Sequence, residues 1–240
     1  MPAPAGARRP RVLVTGSSRG IGLELVRQYA GDGYDVIATC RDPERASELR
    51  AVAAVAPDDA VRVDRLDVGS EDQLDTLAAT IGETPIDVLI CNAAGFGGSR
   101  SRFPDVDWRA WRNAFETNTL GAVRVALRLW PNVAASRERK LVFVSSRAGL
   151  PREAAPKRSY IYGSSKAALK FAARLLALDL ASQGVIAVLL NPGHVQTGIG
   201  GTHAPMTASD SVARMRAVIR ALTPDHAGKF LHYDGSELKL

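Results

Sequence analysis

Thr15-Gly16-Ser17-Ser18-Arg19-Gly20-Ile21-Gly22 is the stretch that decides the fold of this 240-residue chain. The apolar run Val12-Leu13-Val14 precedes it, and a helical pattern follows at Leu23, Val26, Tyr29 and Ala30. A buried strand, a turn without side chains and a helix start form an anion site, because backbone N–H groups and the positive end of the helix dipole face the same point. The glycines let a pyrophosphate approach the backbone. Their G-x-x-x-G-x-G spacing differs from the usual dinucleotide motif, and such turns also serve packing alone, so this stretch leaves nucleotide binding open.

Short apolar runs alternate with longer helical patterns along the rest of the chain. This alternation predicts an α/β fold with a doubly wound, seven-stranded parallel sheet and helices on both faces. The predicted strands are 11–15, 35–39, 60–66, 86–91, 139–145, 185–190 and 229–233. The predicted helices are 21–31, 43–55, 70–82, 107–134, 160–183 and 208–222. Asp42 is the expected cap of the second helix, and Ser70 precedes acidic residues in the first turn of the third. In such sheets ligands bind beyond the carboxyl ends of the strands.

The composition predicts one domain. A chain with 46% hydrophobic residues can bury one large core, so we expect a flexible arm at 1–10 and a single domain over 11–240. Because the sequence has neither a run of about 18 apolar residues nor a secretion signal, a cytoplasmic location is the default.

The cysteines and histidines predict neither a disulfide nor a metal site. Cys40 and Cys91 end the second and fourth strands, and the first strand would lie between them, about 10 Å of separation. We therefore expect reduced, buried thiols. The four histidines have no i,i+4 pair and no cysteine neighbour, so we expect no metal.

The net charge of +6 is scattered rather than concentrated. One mild cluster stands at Arg147, Arg152, Lys157 and Arg158. It has no interleaved aromatic residues, so nucleic acid is not the expected partner. The cluster is either a site for an anionic cofactor or substrate, or an ordinary solvated loop.

The end of the second strand indicates which dinucleotide would bind. A chain that binds NAD places a carboxylate there for the ribose 2′-hydroxyl, but this sequence has Cys40 and Arg41, with Arg19 close by in the glycine turn. Two guanidiniums suit a 2′-phosphate, so the pattern favours NADP(H) over NAD(H). The alternative makes Arg41 an exposed loop residue.

Two further strand ends would line the same site. After the third strand, Asp67 either binds an adenine amino group or caps the next helix, and Val68 follows it. After the fourth come Asn92, Ala93 and Ala94, whose small side chains would let a cofactor approach. Asn92 would alternatively tie neighbouring strands together.

Tyr162 and Lys166 give the catalytic signal. They stand one turn apart on a predicted helix, where an ammonium would lower the pKa of a phenol from its usual value of about 10. A serine hydroxyl at the end of the fifth strand, where Ser145 and Ser146 follow Val144, would hold a carbonyl oxygen beside that phenol, and Asn118 would point to the same region.

The segment after the sixth strand carries the last motif. Pro192 and Gly193 break the chain at the ligand edge. The backbone of Val195 and the hydroxyl of Thr197 would bind a carboxamide, or the segment is a plain turn.

Taken in order, these elements resemble the short-chain dehydrogenase/reductase family over residues 10 to 240. The resemblance implies a Rossmann fold and a cofactor site built from residues along these motifs: Gly16, Ser18, Arg19, Gly20, Ile21, Arg41, Asp67, Val68, Asn92, Ala93, Ala94, Tyr162, Lys166, Pro192, Gly193, Val195 and Thr197. The C-terminal segment from Pro205 onward is similar to a subgroup that includes carbonyl reductases and a signalling protein.

The family implies a mechanism for this chain. Tyr162 gives a proton to the substrate oxygen while the nicotinamide gives hydride to the carbon. Ser146 positions that oxygen, Lys166 holds the nicotinamide ribose, and Asn118 supports a water that relays protons to Lys166. The chain departs from the family pattern at Cys91, Ala94, His194 and Gly198, which affects the expected substrate rather than the hydride chemistry.

Three functions are compatible with these residues. The first is an NADPH-dependent reductase of a ketone or aldehyde, the second a reductase of a 3-oxoacyl group tethered to a carrier protein, and the third a nucleotide-binding signalling protein. The family also implies a homodimer or homotetramer, although the stripe Ala168, Leu169, Ala172, Leu175 and Leu176 would equally be core. Expected pocket walls are Phe96, Arg147, Leu150, Tyr160, His194 and Ile199. The substrate itself stays open.

Overall fold

The computed structural model describes residues 8–99, 101–150 and 159–239. Its centre is a parallel sheet of seven strands in the order β3-β2-β1-β4-β7-β8-β9. A short antiparallel hairpin, β5-β6, lies apart from this sheet. The strands are β1 Arg11–Thr15, β2 Asp35–Cys40, β3 Val61–Arg65, β4 Val88–Cys91, β5 Ser101–Arg102, β6 Asp105–Val106, β7 Lys140–Val144, β8 Ile186–Asn191 and β9 Phe230–His232.

Helices cover both faces of the sheet. Their bounds are α1 Gly20–Gly31, α2 Ser47–Ala54, α3 Glu71–Ile81, α4 Trp108–Phe115, α5 Ala122–Ala134, α6 Tyr160–Ala181 and α7 Ala208–Arg220. Alternate residues of β1 face opposite cores: Leu13 packs with α3, α5 and α6, whereas Val12 and Val14 pack with α1 and α7. The prediction of a doubly wound parallel sheet is confirmed.

The predicted second helix, 43–55, is divided. A single 3-10 turn, Pro43–Arg45, precedes α2. The expected cap by Asp42 is not seen, because its carboxylate pairs with Arg45 at 3.4 Å and makes no capping hydrogen bond in the described part of the chain. The cap of α3 is as expected, since Ser70 Oγ accepts the N–H of Gln73 at 3.3 Å.

The predicted helix 107–134 is interrupted by a widened turn. Between α4 and α5 the backbone forms a π-turn, Glu116–Gly121, that contains Asn118. Gly121 allows this turn to lie against the loop after β3, because a Cβ there would stand 2.6 Å from Cγ2 of Val68.

Both cysteines are buried and free, as expected. They end β2 and β4, which flank β1 in the sheet. Burial raises the pKa of the Cys91 thiol to about 12, so this thiol is uncharged at neutral pH. Across the described ranges, no helix is both long enough and apolar enough to cross a membrane.

Candidate active site

Two clefts open beyond the carboxyl ends of the strands and share part of their walls. The glycine-turn cleft, of about 490 Å³, is lined by the loop after β1 and the ends of β2, β3 and β4. The tyrosine cleft, of about 410 Å³, is lined by the ends of β7 and β8 and by the start of α6. Ile21, Asn92, Ala94, Phe96, Thr197 and Ile199 line both. All the predicted cofactor residues line one cleft or the other.

The glycine turn has the close backbone packing that a pyrophosphate site requires. Gly16 has φ +70°, and a Cβ on it would lie 2.7 Å from Cα of Ala93. A Cβ on Gly22 would lie 2.2 Å from the carbonyl oxygen of Gly16. Helix α1 begins at Gly20, and among the described residues no side chain caps its first N–H groups. These donors suit a diphosphate, so the residues present fit a dinucleotide.

Neighbouring strands hold this turn in place. Asn92 Nδ2 donates to the carbonyls of Thr15 at 2.9 Å and Gly16 at 3.1 Å. Thr15 Oγ1 accepts the N–H groups of Asn92 at 3.0 Å and Ala93 at 3.1 Å. Asn92 therefore ties β4 to the glycine turn, which is the structural alternative considered for it, while it also lines both clefts.

Arginine side chains line the far end of the glycine-turn cleft. Arg19 and Arg41 both belong to its wall, together with Cys40 and Glu48. A third arginine, Arg65 at the end of β3, donates from Nη1 to the backbone carbonyl of Arg41 at 3.0 Å. Arg65 is not predictable from the sequence, because only the register of β3 beside β2 brings it to Arg41.

Asp67 holds the loop before α3. Its Oδ1 accepts the N–H of Gly69 at 3.0 Å, and its own N–H donates to Gln73 Oε1 at 2.7 Å. The residue also lines the cleft beside Val68. The contacts of Asp67 are thus with the start of the next helix, as the capping alternative predicted, but the residue that caps α3 is Ser70.

Ser146 and Tyr162 meet in the tyrosine cleft. Ser159 caps α6 by accepting the N–H of Tyr162 at 3.0 Å, and the Ser146 side chain faces the phenol of Tyr162 closely enough to act on its pKa. The tyrosine ring lies 5.5 Å from the ring of Phe96. One turn along α6, Lys166 Nζ donates to the carbonyl of Val144 at 2.9 Å and lies 5.9 Å from the centre of the tyrosine ring.

The prediction that the pKa of the Tyr162 phenol is lowered is wrong in direction. Burial raises the pKa of Tyr162 above its usual 10, and the Ser146 side chain is what opposes that rise. Burial, and to a smaller extent the charge of Lys170, lower the pKa of Lys166 to about 7. Lys166 is therefore not permanently charged near neutral pH. The phenol is therefore protonated at neutral pH and available as a proton donor.

Asn118 lies in the π-turn, behind both clefts, and is fully buried. Its side chain bonds to the N–H of Gly95 at 2.7 Å, the carbonyl of Gly95 at 2.8 Å and Ser165 Oγ at 3.0 Å. These contacts connect the loop after β4 to α6.

The segment after β8 closes the junction of the two clefts. A Cβ on Gly20 would lie 3.3 Å from Cγ2 of Thr197, so this segment touches the glycine turn. Thr197 Oγ1 donates to the carbonyl of Val195 at 3.3 Å and accepts the N–H of Gly200 at 3.1 Å. His194 lines the tyrosine cleft but is exposed, and its Nε2 lies 2.8 Å from the carbonyl oxygen of Gly200.

Four of the six expected wall residues line the clefts: Phe96, Arg147, His194 and Ile199. Leu150 instead packs on the hydrophobic core, and the ring of Tyr160 lies 6.4 Å from that of Trp111. In the basic cluster, Arg147 is exposed, whereas Arg152, Lys157 and Arg158 lie outside the described residues. Over the described ranges, no three His, Cys, Asp or Glu side chains are grouped closely enough to hold a metal ion.

A second lysine of α6, which the motifs do not predict, also contacts the site. Lys170 is buried, and its Nζ donates to the backbone carbonyl of Ser146 at 2.6 Å. The available signal was its spacing: four residues after Lys166, it lies on the same face of the helix.

A family model described as short chain dehydrogenase matches residues 10–207. The chain belongs to the short-chain dehydrogenase family. Among curated proteins, it is 39% identical to C-signal of Myxococcus xanthus over 161 residues, which are 67% of this chain and 96% of that protein.

Solved carbonyl reductases share the whole fold. The carbonyl reductase Sniffer of D. melanogaster superposes with a TM-score of 0.87 at 27% identity, covering 97% of this chain and 100% of that one. An NADPH-bound carbonyl reductase from chicken fatty liver gives a TM-score of 0.88 at 28% identity, covering 98% and 100%. The protein is thus a short-chain dehydrogenase-type oxidoreductase that resembles carbonyl reductases.

Proposed function

We propose that this protein is an NADPH-dependent reductase that converts a ketone or aldehyde to an alcohol. The observation that carries the proposal is the hydroxyl pair of Ser146 and Tyr162, which lies beside the buried Lys166 in the tyrosine cleft. A carbonyl oxygen placed between these hydroxyls would accept a hydrogen bond from each.

Each residue of the tyrosine cleft has a defined part in this reaction. A bound nicotinamide dinucleotide supplies hydride to the carbonyl carbon. Tyr162 gives its phenolic proton to the carbonyl oxygen, as its raised pKa permits at neutral pH. Ser146 orients that oxygen and stabilises the phenolate left behind. Lys166, with a pKa of about 7, holds the nicotinamide ribose and exchanges protons close to neutrality. Because the amide of Asn118 is bonded to Gly95 and Ser165, any support it gives to a water that relays those protons would come through the loop and helix that it fixes.

The preference for NADP(H) is supported by charge. Arg19 and Arg41 line the end of the glycine-turn cleft, where the second strand ends, and Arg65 supports the backbone of Arg41. Guanidiniums form paired, charge-assisted hydrogen bonds with a phosphate. The solved relatives include carbonyl reductases from chicken and from Pseudomonas aeruginosa that contain bound NADPH or NADP.

One observation favours the signalling alternative, namely the 39% sequence identity with C-signal. Against it stands the set of Ser146, Tyr162, Lys166 and Asn118, since a protein that only senses a nucleotide has no need of a buried proton donor. The carrier-tethered alternative needs a cationic docking surface. It predicts strong inhibition of turnover by modest salt, whereas a free carbonyl substrate predicts little.

We also propose a homodimer or homotetramer. The predicted apolar stripe of α6 is only partly buried, because Leu169 and Leu176 belong to the core while Leu175 is 50% exposed. Further exposed apolar side chains extend along α5 and α6: Leu127, Phe171 and Leu178. Light scattering measures the assembly directly, and a monomer at micromolar concentration would reject it.

A panel of ketones and aldehydes tests the reductase proposal, with NADPH and NADH oxidation followed at 1 mM substrate, a concentration of the order of common KM values. We expect turnover with NADPH that Tyr162→Phe abolishes. Tight NADPH binding without turnover of any carbonyl would favour the signalling alternative.

A further inference from the structure

Lys170 lies beneath the turn that carries Ser146. The residue is 4% exposed, and its Nζ donates to the Ser146 carbonyl at 2.6 Å. The same Nζ lies 5.0 Å from the centre of the Phe230 ring, whose face attracts a cation. The ammonium is therefore held between a carbonyl and an aromatic ring.

The two lysines of α6 donate to two backbone carbonyls, one at the end of β7 and one two residues after it. Lys166 donates to the carbonyl of Val144, and Lys170 donates to that of Ser146. Four residues of helix rise about 6 Å, and two residues of extended chain span about 7 Å, so i,i+4 lysines match carbonyls two residues apart. Lys166 thus fixes the end of the strand, and Lys170 fixes the peptide that bears the reactive serine.

The rest of the serine turn closes on the same helix. A Cβ on Gly149 would lie 2.5 Å from Lys170 Nζ and 2.6 Å from the backbone nitrogen of Ala167. Ser146 Oγ also accepts the N–H of Ala148 at 3.1 Å. The turn is therefore packed against α6 with no room for a side chain at Gly149, and Lys170 is the polar contact at its base.

We propose that Lys170 is a positioning residue for carbonyl reduction: by holding the Ser146 peptide, it keeps the Ser146 hydroxyl against Tyr162. The proposal rests on the proposed function, which assigns the serine and the tyrosine their parts. Lys170 acts through Ser146 and does not touch the reacting atoms.

Charge gives Lys170 a second, measurable effect. Burial lowers the pKa of Lys170 to about 8, so it is largely protonated at pH 7. Its charge is the second cause, after burial, of the lowered pKa of Lys166. Tyr162 on α6 and Cys91 on β4 are the other titratable groups near Lys166. Both are neutral at pH 7, so loss of the Lys170 charge would raise the pKa of Lys166.

A double-mutant cycle tests the positioning. Lys170→Met keeps the length and burial of the side chain but removes the donor and the charge. In the wild-type background we expect kcat to fall about tenfold with the KM for NADPH unchanged. In a Ser146→Ala background the same change should cost less than about twofold, because the group through which Lys170 acts is already gone. Equal losses in both backgrounds would overturn the proposal.

Lys170→Gln separates the hydrogen bond from the charge and serves if the methionine variant does not fold. Its amide retains an N–H donor, so kcat should recover toward the wild type. The pH above which kcat/KM declines should still move upward, as in Lys170→Met, since both variants lack the cation that lowers the pKa of Lys166. An unmoved pH profile would mean that Lys170 is only a packing residue.

Lys140→Met is the matched control. Lys140 is also buried, at 6% exposed, and also donates to a backbone carbonyl, that of Arg220 at 3.1 Å, although it pairs with Glu138 at 2.8 Å as well. It begins β7 and so lies at the opposite edge of the sheet. We expect lower stability with kcat and pH profile unchanged. If the wild type reduces no carbonyl, both the proposed function and this inference are rejected. If the wild type is active but the losses of kcat from Lys170→Met and Ser146→Ala are additive, only this inference is rejected.

Discussion

Asn118 holds both backbone polar groups of Gly95. Its Oδ1 accepts the glycine N–H at 2.7 Å, and its Nδ2 donates to the glycine carbonyl at 2.8 Å. The same Nδ2 reaches Ser165 Oγ at 3.0 Å. One side chain therefore joins the loop after β4, the π-turn and α6, the three elements that meet behind the two clefts.

Asn118→Ala should lower stability. The change removes the partners of the half-buried N–H and carbonyl of Gly95 and one of the partners of the buried Ser165 hydroxyl, which typically costs about 1–3 kcal/mol. Urea unfolding measures the loss. Asn113→Ala, at an exposed position of α4, is the control and should change stability by less than about 0.5 kcal/mol. Equal effects of the two changes would contradict this account of Asn118.

Tyr162→Phe should reduce turnover by about a hundredfold or more, because the phenolic proton is lost while the ring and its contact with Phe96 remain. NADPH affinity, measured by fluorescence titration, should change little. Tyr160→Phe is the control, since that ring lies against Trp111, and it should stay active. Unchanged turnover of Tyr162→Phe would reject the assignment of the proton donor.

Arg41→Ala should weaken NADPH binding at least about tenfold and NADH binding far less, because only NADPH carries the phosphate that this guanidinium would bind. Calorimetric titration of both cofactors gives the ratio. Arg45→Ala removes a nearby cation whose side chain is 89% exposed and pairs with Asp42, so it should leave the ratio unchanged. Equal losses for the two cofactors in Arg41→Ala would remove the argument for a 2′-phosphate.

Lys166→Met should abolish turnover and yet raise stability at low pH. Burial lowers the pKa of Lys166 from 10.5 to about 7, so between these values the unfolded chain binds the extra proton. The destabilisation caused by burying the charged Lys166 side chain is greatest below pH 7 and decreases as the pH rises toward 10.5. The gain from Lys166→Met, measured by urea unfolding, should therefore be largest at pH 6 and smallest at pH 10. A gain that is constant with pH would show that this lysine is not desolvated in the native state.

Local patterns were sufficient to predict the sheet and most of the site. Each strand is a short apolar run ended by turn residues, and parallel strands bring their carboxyl ends to one edge, so Gly16, Asn92, Ser146 and Thr197 had to meet there. The hairpin β5-β6 was not predicted, because strands of two residues carry no periodicity to detect.

The missed features depend on packing between distant segments. Arg65 meets Arg41 only through the register of β3 on β2, and Lys170 meets Ser146 only because the serine turn docks on α6. The direction of the Tyr162 pKa shift was wrong for a related reason. Spacing indicates that a lysine is near, but burial decides whether that lysine is charged.

The π-turn has a consequence for any attempt to make this protein more heat-resistant. Such turns are rare inside helices, and this one contains the asparagine that bonds to Gly95. Deleting one residue between positions 116 and 121 would restore an unbroken α-helix and withdraw the amide from the glycine. The deletion would therefore exchange a more regular helix for the loss of the hydrogen bonds that Asn118 makes, and attempts to stabilise the protein should leave residues 116–121 intact.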